Sequence, residues 1–137
     1  MIIKTLYAGE KNIVALAKSC DSKADIEVEL EVESKRNSAI KGFDVLFRRY
    51  CSGNRLTVEM FHEAGEYKAQ RFYEFRKGRA RVYCVMDPKD GSIMLLTHLL
   101  CSKSTNQTKT SDLAKAYKIL TQYHKILTQY QITKIER

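Results

Sequence analysis

Tryptophan is absent from the 137 residues, proline occurs once and glycine six times. So few chain breakers exclude a proline- or glycine-rich disordered segment. No apolar run approaches the roughly 18 residues that a membrane-spanning helix requires, and the mean hydropathy is -0.40. Cysteine is limited to Cys20, Cys51, Cys84 and Cys101. Their wide, irregular spacing fits neither a CxxC zinc or redox motif nor the dense disulfide framework of a small secreted protein, and reduced thiols are expected. A glycine-rich phosphate loop, a nucleophile-His-Asp spacing and a metal-ligand cluster are likewise missing from the sequence pattern, so no cofactor and no metal is expected.

What remains is a chain of 137 residues with 44% apolar positions, enough for one domain spanning 1–137 and built as α+β. Met1–Leu6 carries neither a basic stretch nor a long apolar run, which predicts a cytoplasmic protein without a membrane contact. The formal charge is +8 and unevenly spread: residues 1–33 sum to −3, leaving +11 on the remaining 104. A basic body with an acidic strip attracts phosphates while orienting them.

Ile2–Tyr7 reads as a first strand, and Glu10–Ser19 is ambiguous between loop and helix. Asp25–Glu33 alternates strictly between apolar and acidic residues, the pattern of a half-buried strand. Ser22 with Asp25 as a capping box, and the helix-forming Leu and Glu residues, argue for a helix in the same place, so both readings stand. Ser38–Cys51 is helical, because Ile40, Phe43, Phe47 and Tyr50 share one face and Gly53 is placed to end it. After a polar passage over Asn54–Glu66, Tyr67–Arg76, Arg79–Met86 and Ser92–Cys101 predict an antiparallel three-stranded meander with turns at Lys77-Gly78 and Asp87–Gly91. The tail from Thr110 to about Ile135 is a helix with apolar residues in steps of three and four. Within it Lys-Ile-Leu-Thr-Gln-Tyr occurs at 118–123 and again at 125–130, a repeat of one heptad that lengthens the helix without changing its seam.

Period-two alternation assigns Ala80, Val82, Cys84 and Met86 to the core, leaving Arg79, Arg81 and Tyr83 on the other face. With Lys77-Gly78 as a two-residue loop, Arg76 pairs with Arg79, Glu74 with Arg81, and Phe72 with Tyr83. Like charges directly across strands repel, which points to an anion between them. Guanidinium groups bind phosphate bidentately and aromatic rings stack on unpaired bases, so the pattern suits single-stranded RNA, with Lys68 and Arg71 as further contacts. The alternative is a solvated basic face with one Glu74–Arg81 salt bridge. Lys103 follows the third strand and could reach the same face, whereas His98 reads as a satisfied core histidine and His62 carries no clear signal.

In order and spacing, Tyr73-Glu74-Phe75-Arg76, Arg81–Asp87, Met94–His98, Ser102-Lys103-Ser104 and Asp112–Ala116 resemble the RelE/ParE toxin superfamily, most closely its phage-derived RelE/HigB-like branch. The likeness runs over about Ser38–Leu120, with Phe43–Gly53 resembling the second helix. It implies an N-terminal strand and two helices followed by a curved antiparallel three-stranded meander and a C-terminal helix. It further implies a type II toxin that is a ribosome-dependent, metal-independent mRNA endonuclease, attacking the phosphate with the ribose 2′-hydroxyl, with a cognate antitoxin and mRNA on the ribosome as partners. A homodimer or a toxin–antitoxin hetero-oligomer would be the assembly. By position Arg76, Arg81 and Lys103 would be catalytic, with Tyr73 or Tyr83 stacking on or orienting the RNA; Arg79, Lys68 and Arg71 are further substrate-binding candidates. The paired lysines of that family are Ser102-Lys103 here. The alternative function is a non-nucleolytic binder of the same superfamily, either a gyrase-inhibiting toxin or an antitoxin-bound co-repressor.

Overall fold

The computed structural model describes residues 1–101 and 108–136, with side chains described as far as Gln129. Six strands form one mixed sheet: β1 (Ile2–Tyr7), β2 (Asn12–Ala17), β3 (Phe61–Tyr67), β4 (Gln70–Lys77), β5 (Ala80–Asp87) and β6 (Asp90–Leu100). Their order across the sheet is β1-β2-β6-β5-β4-β3. All neighbouring pairs are antiparallel except β2 with β6, which run parallel. The helices are α1 (Asp25–Ser34), α2 (Phe43–Cys51) and α3 (Thr110–Glu136), with a 3₁₀ turn at Ser38–Gly42 leading into α2. No helix among the described residues is long and apolar enough to cross a membrane.

This architecture corrects the expected strand, two helices and three-stranded meander on two counts. Asn12–Ala17, which was ambiguous, is a strand; it is buried on both faces, so it lacks the alternation that marks half-buried strands. The polar passage hides β3, an edge strand whose outward residues are free to be polar. Asp25–Ser34, left open above, is helical. Its first turn is closed by Glu27 rather than by Ser22: the Glu27 carboxylate accepts the Ala24 N–H at 2.9 Å. The apolar residues of its alternation are then split between core and solvent, with Ile26 buried while Val28 and Val32 stay about half exposed.

Helices cover both faces of the sheet, giving three layers. On one side α1 and α2 bury Ile26, Phe43, Leu46, Phe47 and Tyr50 against Phe75, Val82, Cys84, Met94 and Leu96. The positions of α2 that bury its rings recur in steps of three and four, and Phe47 meets Phe75 edge-on at 5.0 Å. On the other side α3 lays Leu113, Ala116, Leu120 and Tyr123 over Phe72, Tyr83, Val85 and Leu95. Its buried seam therefore has the heptad spacing anticipated from the repeat, and the Tyr123 hydroxyl donates to the Asp87 carboxylate across this layer.

The face of β5 read as solvent-facing is thus the floor of the α3 layer: Arg81 is 4% exposed and Tyr83 is fully buried. The β4–β5 register is also two residues from the expected one. Lys77 pairs with Ala80, so Gly78-Arg79 make the turn, and Arg76 stands opposite Arg81. Gly78 sets this register, since its φ of +58° supplies the left-handed geometry that a tight hairpin turn needs. Of the four cysteines, Cys51 and Cys84 are buried, Cys20 and Cys101 are exposed, and none is bonded to another.

Candidate functional site

The β3–β4 hairpin turns at Lys68-Ala69, both in the left-handed region, with φ of +49° and +64°. From that turn the register runs Tyr67 to Gln70, Glu66 to Arg71 and Gly65 to Phe72, then shifts by a bulge so that Glu63 meets Tyr73 and His62 meets Glu74. Gly65 permits the bulge: its φ is +152°, and a Cβ there would press on the Leu113 side chain of α3 at 3.1 Å. The bulge brings a histidine from the sheet edge onto the face of the arginines.

Three strands then deliver one cluster on the α3 side of the sheet. Glu74 is fully buried. Its Oε1 lies 3.1 Å from His62 Nε2, 3.7 Å from Arg81 Nε and 3.9 Å from Arg76 Nε. A carboxylate without solvent needs charge partners, and here it has an imidazole and two guanidinium groups around it. Arg81 is further fixed by its Nη1, which donates to the carbonyls of Gly78 at 2.7 Å and Ala80 at 3.0 Å. Burial and the facing Arg76 lower the Arg81 pKa, with Glu74 working in the other direction. The Nε groups of Arg76 and Arg81 have no hydrogen-bond partner among the described residues. The cluster reaches solvent through His62 and Arg76, whose side chains are 28% and 23% exposed, against 5% for Arg81.

Two further aromatic groups line this layer. Tyr83 stacks on His98 with ring centroids 5.0 Å apart, and burial together with nearby Asp112 and Glu74 raises the Tyr83 pKa. The Thr97 hydroxyl donates to the Tyr83 carbonyl at 3.0 Å and lies 3.2 Å from His98 Nδ1. His98 is 3% exposed, and burial together with Lys115 pushes its pKa down to about 4.

The sequence-derived residues are therefore split. Arg76, Arg81 and Tyr83 share the α3 face; Glu74 stands opposite Tyr83 rather than the expected Arg81, while its Oε1 lies 3.7 Å from Arg81 Nε. Tyr73 lies on the opposite face, stacked on Phe61 at 5.4 Å and opposite Cys84. Arg79 is exposed in the Gly78-Arg79 turn, away from its expected place across from Arg76. Arg71 is exposed and paired with Glu63 at 3.1 Å. Lys68 sits over the rings of Tyr67 and Tyr117, at 5.6 and 5.2 Å. Lys103 lies outside the described residues. The residue missed from sequence is His62: only a one-residue bulge aligns it with Glu74, and alternation carries no trace of a bulge. Among the described residues no three His, Cys, Asp or Glu groups converge as metal ligands.

No family model, curated protein or solved structure matches the chain.

Proposed function

We propose that the protein is an endoribonuclease toxin that cleaves mRNA on the ribosome by attack of a ribose 2′-hydroxyl on the adjacent phosphate, and that a cognate antitoxin restrains it. The observation that carries this reading is the Glu74 carboxylate held between the His62 imidazole and the guanidinium groups of Arg76 and Arg81. Such a cleavage needs a base for the hydroxyl proton, an acid for the departing 5′-oxygen and positive charge for the crowded phosphorane. His62, on the accessible rim, takes the hydroxyl proton as the bond from the 2′-oxygen to phosphorus forms. The bond from phosphorus to the 5′-oxygen breaks, and the 5′-oxygen takes a proton from solvent water. Glu74 behind His62 orients the ring and balances the imidazolium that forms. Arg76, the other accessible member, meets the phosphate oxygens. Arg81 acts beneath them as a positioning residue that balances Glu74 and adds positive potential. The net charge of +8 draws the polyanion to the surface. The toxin context is supported by the resemblance of the Tyr73–Arg76, Arg81–Asp87 and Met94–His98 segments and not by the topology.

Induced expression in bacteria, with growth followed alongside primer extension on abundant transcripts, tests the reading. Growth arrest with new 5′ ends inside translated regions is expected, and both should vanish in His62→Ala. Arrest without new ends would replace the nuclease by a toxin acting on a protein such as gyrase. Absence of arrest would favour a co-repressor module.

A further inference from the structure

We infer that the cavity on the α2 side of the β3 edge is a base-binding subsite for single-stranded RNA; this rests on the nuclease reading above. The cavity has a volume of about 300 Å³ and is lined by Lys11, Tyr50, Asn54, Arg55, Leu56 and Phe61. This is the lower end of the range for small-molecule sites. Its composition differs from that of two other cavities among the described residues. The groove between β1 and α3 is walled by aliphatic side chains and Tyr123, and the one between α1 and α2 is rimmed by Glu27, Glu31 and Asp44.

Each wall supplies one element of base and phosphate recognition. Phe61, partly exposed, presents aromatic surface, with the Tyr50 ring (6% exposed) behind it, their centroids 5.5 Å apart and the rings tilted by 46°. Every nucleobase has a face that can stack on such surface. The Asn54 amide offers both a donor and an acceptor to a base edge. Lys11 and Arg55 are exposed cations at the mouth, and the Lys11 ammonium lies 4.8 Å from the Tyr50 ring centre. The Glu10 carboxylate lies close over Gly53, opposing them. A neighbouring guanidinium, Arg49, is held by the Arg55 carbonyl and the Met60 sulfur, which fixes the loop that carries Asn54 and Arg55.

Strand geometry links this cavity to the charged cluster. Phe61 and His62 are consecutive on β3, so their side chains point to opposite faces of the sheet. β3 is one of the two edge strands of the sheet. An RNA strand draped over that edge can set one base against Phe61 while a nearby phosphate meets His62 and Arg76. Preference at that nucleotide then comes from a part of the protein with no role in bond breaking.

Titration with adenosine 5′-monophosphate and uridine 5′-monophosphate, followed by NMR of the Tyr50 and Phe61 ring protons, tests the subsite without requiring cleavage. The ring resonances of the parent should move on titration. The double variant Lys11→Glu/Arg55→Glu, both on exposed side chains, should bind at least about tenfold more weakly with an unchanged melting temperature. In the cleavage assay the same variant should cut at a changed set of positions. Rings that do not move, or a variant that binds and cuts as the parent does, would overturn the subsite and leave the nuclease reading standing. Ring shifts lost in the variant, with no cleavage by the parent, would keep a nucleotide site and remove the nuclease.

Discussion

The two faces of the central sheet are built from different materials. Under α1 and α2 the sheet is packed with rings and aliphatic chains: Phe43, Phe47 and Phe75 are each at most 1% exposed, and Phe75 touches Phe47, Tyr50 and Phe61. Under α3 the same strands turn Glu74, Arg76, Arg81 and His62 inward beside Tyr83 and His98. Apolar surface removed from water stabilises at about 25 cal/mol per Å² and asks for no partner. A buried charge set loses its solvation and at best recovers it. The side under α1 and α2 is therefore apolar throughout, while the side under α3 carries, beside its own apolar seam, a costly charged arrangement, whose return under the proposed nuclease reading is chemical.

The largest effect expected from this contrast is catalytic. Arg81→Ala should lower mRNA cleavage by about 10²-fold, by misplacing Glu74 and the groups it holds. It should also cost about 1–3 kcal/mol in denaturant unfolding, because buried Glu74 loses one partner while keeping His62 and Arg76. Phe75→Ala on the opposite face should cost more stability, about 3–5 kcal/mol, yet leave the cleavage rate per folded molecule unchanged. Equal losses of activity in both variants at matched folded fractions would dissolve the distinction between the faces.

The pH dependence of stability separates the faces as well. His98 has a folded-state pKa near 4, against an ordinary value of 6.5. The unfolded chain then binds the extra proton first, so stability is full above about pH 6.5 and falls as the pH drops toward 4, by about 2–3 kcal/mol in all. Chemical denaturation between pH 7 and pH 4 reads this slope, and His98→Gln should flatten it. A slope unchanged in that variant would assign the effect elsewhere.

Smaller effects belong to the hairpin tips. Ala69 occupies a left-handed position that suits glycine, and Ala69→Gly should raise stability by about 1 kcal/mol in thermal unfolding. Arg79→Ala, in an exposed turn, should change stability by less than about 0.5 kcal/mol. A large loss of cleavage there would extend the functional surface to the turn.

How far this division was legible in the sequence depended on local signals. The steps of three and four in α2 and α3 are visible because a helix packed on one side repeats its buried residues. Alternation in β4 and β5 separated Arg76, Arg81 and Tyr83 from Val82 and Cys84, since successive side chains alternate regardless of register. It could not show that α3 covers the second face, because Arg81 and Tyr83 look alike in sequence whether they meet water or a helix. Nor could it fix the register, which Gly78 sets through one dihedral angle. β2 escaped because a strand buried on both faces has no period to read, and His62 escaped because its place beside Glu74 depends on the bulge at Glu63–Gly65.

The central claim is that His62, oriented by Glu74, moves a proton during RNA cleavage. Its most direct measurement is the cleavage of mRNA on purified ribosomes by the parent and by His62→Ala, with the melting temperature of each recorded alongside. Cleavage at least about 10²-fold slower in the variant, with the fold retained, is the predicted result. A folded His62→Ala protein that cleaves at the parent rate would contradict it.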